Sequence, residues 1–134
     1  MSRVRLPAIT LALACAPITL QALKSEFAMT TDTFKDVTVT TKANVYFDGK
    51  CVSHSFVQAD GTKKSIGVIL PSTLTFSTGA PEIMEGVGGA CEYQLSGTTE
   101  WQKSGVGENF SVPANASFQI RVTGEPYSYI CHFG

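Results

Sequence analysis

The sequence predicts an all-β single domain, and three observations predict it. Short β-prone runs recur from residue 44 to the C-terminus, turn residues separate them at close spacing, and no window sustains a helical period with caps at both ends. Many short strands at such spacing fold as a sandwich or a barrel. A length of 134 residues suits one domain with one core.

Residues 1–28 stand apart. Arg3 and Arg5 precede an apolar run from Leu6 to Leu23, and Lys24-Ser25-Glu26-Phe27-Ala28 follows, the outline of a secretory leader. Pro7 and Pro17 interrupt the run and argue against a membrane-spanning helix. Met29-Thr30-Thr31-Asp32 reads as a second, soluble-looking start, so a misassigned start is preferred to a genuine signal, and 1–28 is set aside from the fold. Residues 29–43 are polar and unpatterned, a tail or an edge strand, and 44–134 form the barrel.

Within the barrel, Cys51 to Ala59 alternates and Asp60-Gly61 supplies a tight hairpin. Ser65 to Leu70 returns as an apolar strand, and Pro71-Ser72 precede the run Thr73 to Ser77. Gly79-Ala80-Pro81 turns into Glu82 to Val87, and Gly88-Gly89 into Ala90 to Leu95. The last runs are Asn109 to Val112, Ser117 to Val122 and Tyr127 to Phe133, parted by Pro113-Ala114-Asn115 and by Gly124 to Pro126.

Ten basic and eleven acidic residues are spread evenly, so no basic stripe exists for a nucleic-acid backbone to track. One small anion could still be held by N–H groups and hydroxyls. Cys51, Cys91 and Cys131 match no zinc spacing and no CxxC motif, and read as small buried hydrophobes in a reducing compartment. The expected location is the cytoplasm, or the periplasm or exterior if 1–28 is a true signal.

Two segments resemble the paired motifs of the cupin superfamily, which implies a jelly-roll β-barrel. In the first, Thr75-Phe76-Ser77 stands where a His-x-His pair is usual, with Glu82 and Gly89 beyond it. In the second, Gly107 and Pro113 keep their places, Asn115 takes a Gly place and Phe118 the His place. The ligands thus become Thr75, Ser77 and Phe118, and Glu82 alone cannot hold a transition metal. His54 and His132 lie on other strands, so a metal-free barrel is expected.

A narrower resemblance rests on Asn44-Val45-Tyr46-Phe47-Asp48-Gly49-Lys50, Phe76-Ser77-Thr78 with Pro81-Glu82, Glu100-Trp101-Gln102, Phe110-Ser111-Val112-Pro113 and Ser128-Tyr129-Ile130-Cys131. In this order, over about residues 40 to 134, they are similar to the small cupin family of pyrimidine/purine nucleoside phosphorylases. The resemblance implies phosphorolysis of purine and pyrimidine nucleosides to free base and ribose 1-phosphate. It also implies a homodimer that needs no metal, with inorganic phosphate as co-substrate and no nucleic-acid or membrane partner.

Phosphorolysis passes through a transition state with oxocarbenium character, so placement and fixed dipoles supply most of the gain. The cupin ligand positions would put Thr75, Ser77, Glu82 and Phe118 around one cavity. Glu82 is the catalytic candidate, holding ribose hydroxyls or favouring positive charge at C1′. Thr75 and Ser77 could bond phosphate or ribose, and Phe118 could stack on either class of base. Tyr129 shares a strand face with Cys131 and is a further cavity candidate. Lys50, beside a turn, could reach the barrel mouth. The competing expectation is a non-catalytic cupin that binds a small ligand or serves as a structural dimer.

Overall fold

The computed structural model describes residues 33–134, so the expected leader at 1–28 lies outside the described residues. Eleven strands follow in order: β1 (Thr38–Val39), β2 (Asn44–Tyr46), β3 (Cys51–Val57), β4 (Lys63–Ile69), β5 (Ser72–Ser77), β6 (Glu82–Gly88), β7 (Cys91–Leu95), β8 (Gln102–Ser104), β9 (Asn109–Val112), β10 (Ser117–Val122) and β11 (Tyr127–Phe133). They form a seven-stranded sheet, in the order β1-β3-β4-β11-β6-β9 with β2 also on β3, and a four-stranded sheet in the order β5-β10-β7-β8.

After β4 the chain passes between the sheets repeatedly, β5 to the small one, β6 back, β7 and β8 across, β9 back, β10 across and β11 home. This double-sheet winding is the jelly-roll form of a cupin-type barrel, and the two sheets are not joined into a closed cylinder. The tail 29–43 contributes β1, whose Thr38 and Val39 pair with Val57 and Phe56. On the same edge of β3, β2 pairs farther along, at Cys51 to Ser53.

Alternation decides which side chains meet. Inward from the large sheet come Cys51, Ile69, Met84, Phe110, Val112, Tyr127 and Cys131, and from the small sheet Leu74, Cys91, Phe118, Ile120 and Val122. Burial of these apolar groups supplies the main drive to fold. The three thiols are free and buried, as their isolation in sequence suggested.

One turn departs in detail from the sequence reading. The β3–β4 hairpin closes with Gln58 N–H on Thr62 O at 2.9 Å and Gly61 N–H on Gln58 O at 2.9 Å. Only Gly61 takes positive φ there, at +91°, while Asp60 accepts the Thr62 N–H on its side chain at 2.9 Å. The Asx bond makes a second positive-φ residue unnecessary.

The turn at Pro113-Ala114-Asn115 needs the left-handed region, and Asn115 adopts it at φ +51° where a cupin has Gly. That turn is laced to the start of β6. Asn115 N–H reaches Gly79 O at 3.1 Å, and the buried Thr78 hydroxyl donates to Pro113 O at 2.6 Å. These bonds fix the loop that delivers Glu82.

Candidate functional site

The register of the large sheet lays its inward side chains out in rows. Asn44, Ser53, Gly67 and Tyr129 face one another across β2, β3, β4 and β11. The next row is Ser55, Ser65, Cys131 and Met84, and the next pairs Phe133 with Glu82. Above these rows lies a cavity of about 180 Å³. Its polar lining comes from Ser53, Ser65, Ser77, Glu82, Tyr129 and Cys131, and Tyr46, Phe76 and Phe133 give it aromatic walls.

Glu82 lies at one end of a polar group of the cavity lining. Cys131 interacts electrostatically with both Ser65 and the Glu82 carboxylate. Burial pushes the Glu82 carboxyl above the usual carboxylate range, and the Cys131 thiol opposes part of that rise. Burial likewise pushes the Cys131 thiol up, and the adjacent carboxylate adds to it, so the sulfur keeps its proton and acts as donor. Tyr129 is buried with its hydroxyl 3.6 Å from Cys51 Sγ. Gly67 makes room for that phenol: a Cβ there would lie 2.6 Å from Tyr129 Oη and 2.8 Å from Val52 O.

The aromatic wall is the exposed end of a stack. Phe47, in the 3-10 turn Phe47–Gly49, meets Phe76 edge-on at 5.4 Å, and Phe76 lies over Phe118 at 5.6 Å. Phe118 in turn meets Phe110 at 6.2 Å, and Phe110 stacks on Tyr93 at 3.8 Å.

The structure sorts the residues singled out from sequence. Glu82, Ser77 and Tyr129 line the cavity. Thr75 does not: it is exposed, pairs with Gln119 on the outer face of the small sheet, and accepts a bond from the Gln119 amide at 3.3 Å. The inward residues of β5 are Leu74 and Phe76, one place off the assumed motif alignment, and a one-residue slip exchanges the faces of a strand.

Phe118 does point inward, but Phe76 covers it and it is core, 3% exposed. Lys50 caps the 3-10 turn, exposed and outside the lining. Sequence reasoning passed over Ser53, Ser65, Tyr46, Phe76 and Phe133. The signal for the two serines was present, since counting alternate residues from buried Cys51 places Ser53 inward and the β4 pairing then places Ser65 opposite Cys131.

A larger concavity of about 660 Å³ lies on the opposite face of the same sheet, lined chiefly by Phe34, Val39, Phe56, Ile66, Val68 and Ile130. Phe34 packs on Phe56 there at 4.7 Å. Size does not make it the reactive site, because its lining is mostly apolar, contains no carboxylate, and has Thr33, His54, Ser128 and Tyr129 as its polar side chains. His132 also faces that side. It accepts from Lys64 Nζ at 2.7 Å on Nδ1 and therefore donates from Nε2 to Glu85 at 2.8 Å. Among the described residues no three of His, Cys, Asp and Glu converge as metal ligands would.

The winding and the inward-facing Glu82 define a small cupin-type barrel, and solved structures agree. Oxalate decarboxylase of Bacillus subtilis, at 9% identity, superposes with a TM-score of 0.60 over 81% of this chain and 31% of its own, a likeness of fold. A protein from Acinetobacter sp. ADP1 superposes at 0.75 with 43% identity, over 78% of this chain and all of that one. Relatives from Aromatoleum aromaticum and Ralstonia pickettii, each named pyrimidine/purine nucleoside phosphorylase, are 70% identical over 104 and 105 residues, 78% of this chain and 97% and 99% of theirs. The family model for pyrimidine/purine nucleoside phosphorylase matches residues 41–133, and the chain belongs to that family.

Proposed function

We propose that this protein cleaves purine and pyrimidine ribonucleosides with inorganic phosphate, yielding free base and ribose 1-phosphate, in the cavity that contains Glu82. A phosphate oxygen forms a bond to C1′ while the C1′–N bond breaks. The base leaves with that electron pair and takes up a proton. The observation that supports this reading most is a half-buried carboxylate beside aromatic walls, in a chain of this family.

Glu82 accepts bonds from ribose hydroxyls and favours the positive charge that develops at C1′. Phe76, Tyr46 and Phe133 offer ring faces to the base, and stacking does not discriminate purine from pyrimidine. The residues that line the cavity with Glu82, Ser65 and Cys131 among them, are hydroxyls and a thiol able to donate to it, which suits chemistry without a metal. Homodimerisation would use the outer face of the large sheet, where Val39, Ile66 and Val87 are 46%, 42% and 37% exposed. The three free thiols among the described residues suit a reducing cytoplasm.

The test is release of free base from inosine and uridine by the full chain in EDTA, with and without phosphate. Release from both that requires phosphate is the expected result. A folded sample that releases neither would replace this reading with a cupin that binds a small ligand.

A further inference from the structure

The inner face of the large sheet is chemically divided. Glu82 stands on the β6 side, while β2, β3 and β4 contain no acidic residue at all. Among apolar Cys51 and Ile69, the polar side chains they turn inward are donors. Asn44 Nδ2 points at Ser53 Oγ and Ser55 Oγ, each at 3.4 Å. With an oxygen lone pair of each serine engaged in this way, the hydroxyl proton is free to point at an acceptor. Ser65 sits directly across from Ser55 on one side and Cys131 on the other, and a thiol sulfur is a weak acceptor that a phosphate oxygen outcompetes for its hydroxyl.

Ser53 and Ser65 line the cavity and are only 5% and 6% exposed, so bonds made there are shielded from water. Lys63 stands two residues before Ser65 on the same face of β4. One step on from the His132–Lys64 pair, it lies across from Phe133 of the cavity wall. Its neighbour Lys64 is turned to the other face, onto His132.

We infer that Asn44, Ser53, Ser55 and Ser65, with the Lys63 ammonium at the rim, form the oxyanion subsite that takes inorganic phosphate in the forward reaction and the phosphate of ribose 1-phosphate in the reverse. The inference rests on the phosphorylase reading and completes it. Glu82 is two strands from Ser65, across β11, roughly 10 Å at the usual strand spacing, and Ser53 and Ser55 on β3 and Asn44 on β2 lie farther along the same sheet. That separation keeps carboxylate and phosphate apart and leaves the ribose between them, its C1′ open to a phosphate oxygen. Hydroxyls and one ammonium bind a doubly charged oxyanion without an arginine clamp, as serine- and backbone-lined anion sites do.

The experiment compares the full chain with Ser65→Ala and Lys63→Met, reading the Michaelis constants for phosphate, ribose 1-phosphate and uridine, and phosphate binding by direct titration. Loss of one bond to a charged ligand is worth about a tenfold change or more. The KM for phosphate and for ribose 1-phosphate should therefore rise about tenfold in Ser65→Ala, with the uridine KM within about twofold. Lys63→Met leaves the cavity wall intact and should weaken phosphate in the same direction if Ser65→Ala fails to fold. Unchanged phosphate constants in folded variants, or no phosphate binding by the parent chain, would overturn the subsite. Parent chain that binds phosphate through these residues but releases no base would uphold the subsite and overturn the phosphorylase reading.

Discussion

The two sheets of this barrel present opposite inner faces. The small sheet turns in Leu74, Phe76, Cys91, Phe118, Ile120 and Val122, without one carboxylate, and the large sheet turns in Ser53, Ser65, Glu82, Tyr129 and Cys131 among its apolar residues. One sheet is therefore a hydrophobic lid and the other a reactive floor. The difference shows how a barrel with Glu82 as its one retained ligand position can keep a site. A single acid surrounded by hydroxyl and thiol donors remains useful where geometry and dipoles, not a Lewis acid, do the stabilising.

The comparison can be pressed by substitution. The largest stability effect is expected in the apolar lid: Phe118→Ala removes a ring packed between Phe76 and Phe110 and should cost about 3–5 kcal/mol, read by denaturant unfolding. A loss below about 1 kcal/mol would mean that Phe118 is not core. At the small end, Thr75→Val touches only the outer surface of the same sheet and a 3.3 Å bond from Gln119. Its stability should change by no more than about 0.5 kcal/mol and its turnover not at all. A clear loss of turnover in that variant would return Thr75 to the site and undo the face assignment.

The architecture was legible in the sequence where turn chemistry and alternation agreed, as at β3, β4, β9, β10 and β11. The short strands β2 (Asn44–Tyr46) and β8 (Gln102–Ser104) were not, since three residues are too few to show a period of their own and exist as strands only through their partners β3 and β7. The placement of Glu82 was legible because one carboxylate keeps its place between the two turns. Thr75 was misplaced for a physical reason: side-chain period in a strand is two, so a motif aligned one residue out puts Thr75 on the outer face, while Ser77, at the last position of β5, still borders the cavity. Phe118 was placed on the right face, but depth is set by what packs above it, and Phe76 does so here. Lys50 could not be judged from spacing, because the 3-10 turn at Phe47–Gly49 decides its direction and has no strong local signature.

Glu82 tests the account most directly. Its folded carboxyl is raised by burial, so ionisation costs stability as pH climbs from the unfolded value through the folded one. Removing that charge should not harm the fold at neutral pH. The measurement is Glu82→Gln, with phosphate-dependent base release and thermal unfolding followed on the same preparation from acid to neutral pH. The account predicts turnover down by roughly 10²–10³, as for loss of a preorganised electrostatic group, with a melting temperature at pH 7 equal to or above the parent's. In the parent, turnover should fall as pH drops through the raised Glu82 value, and the variant should lack that limb. Retained turnover together with a lowered melting temperature would contradict the account and make Glu82 a structural acid.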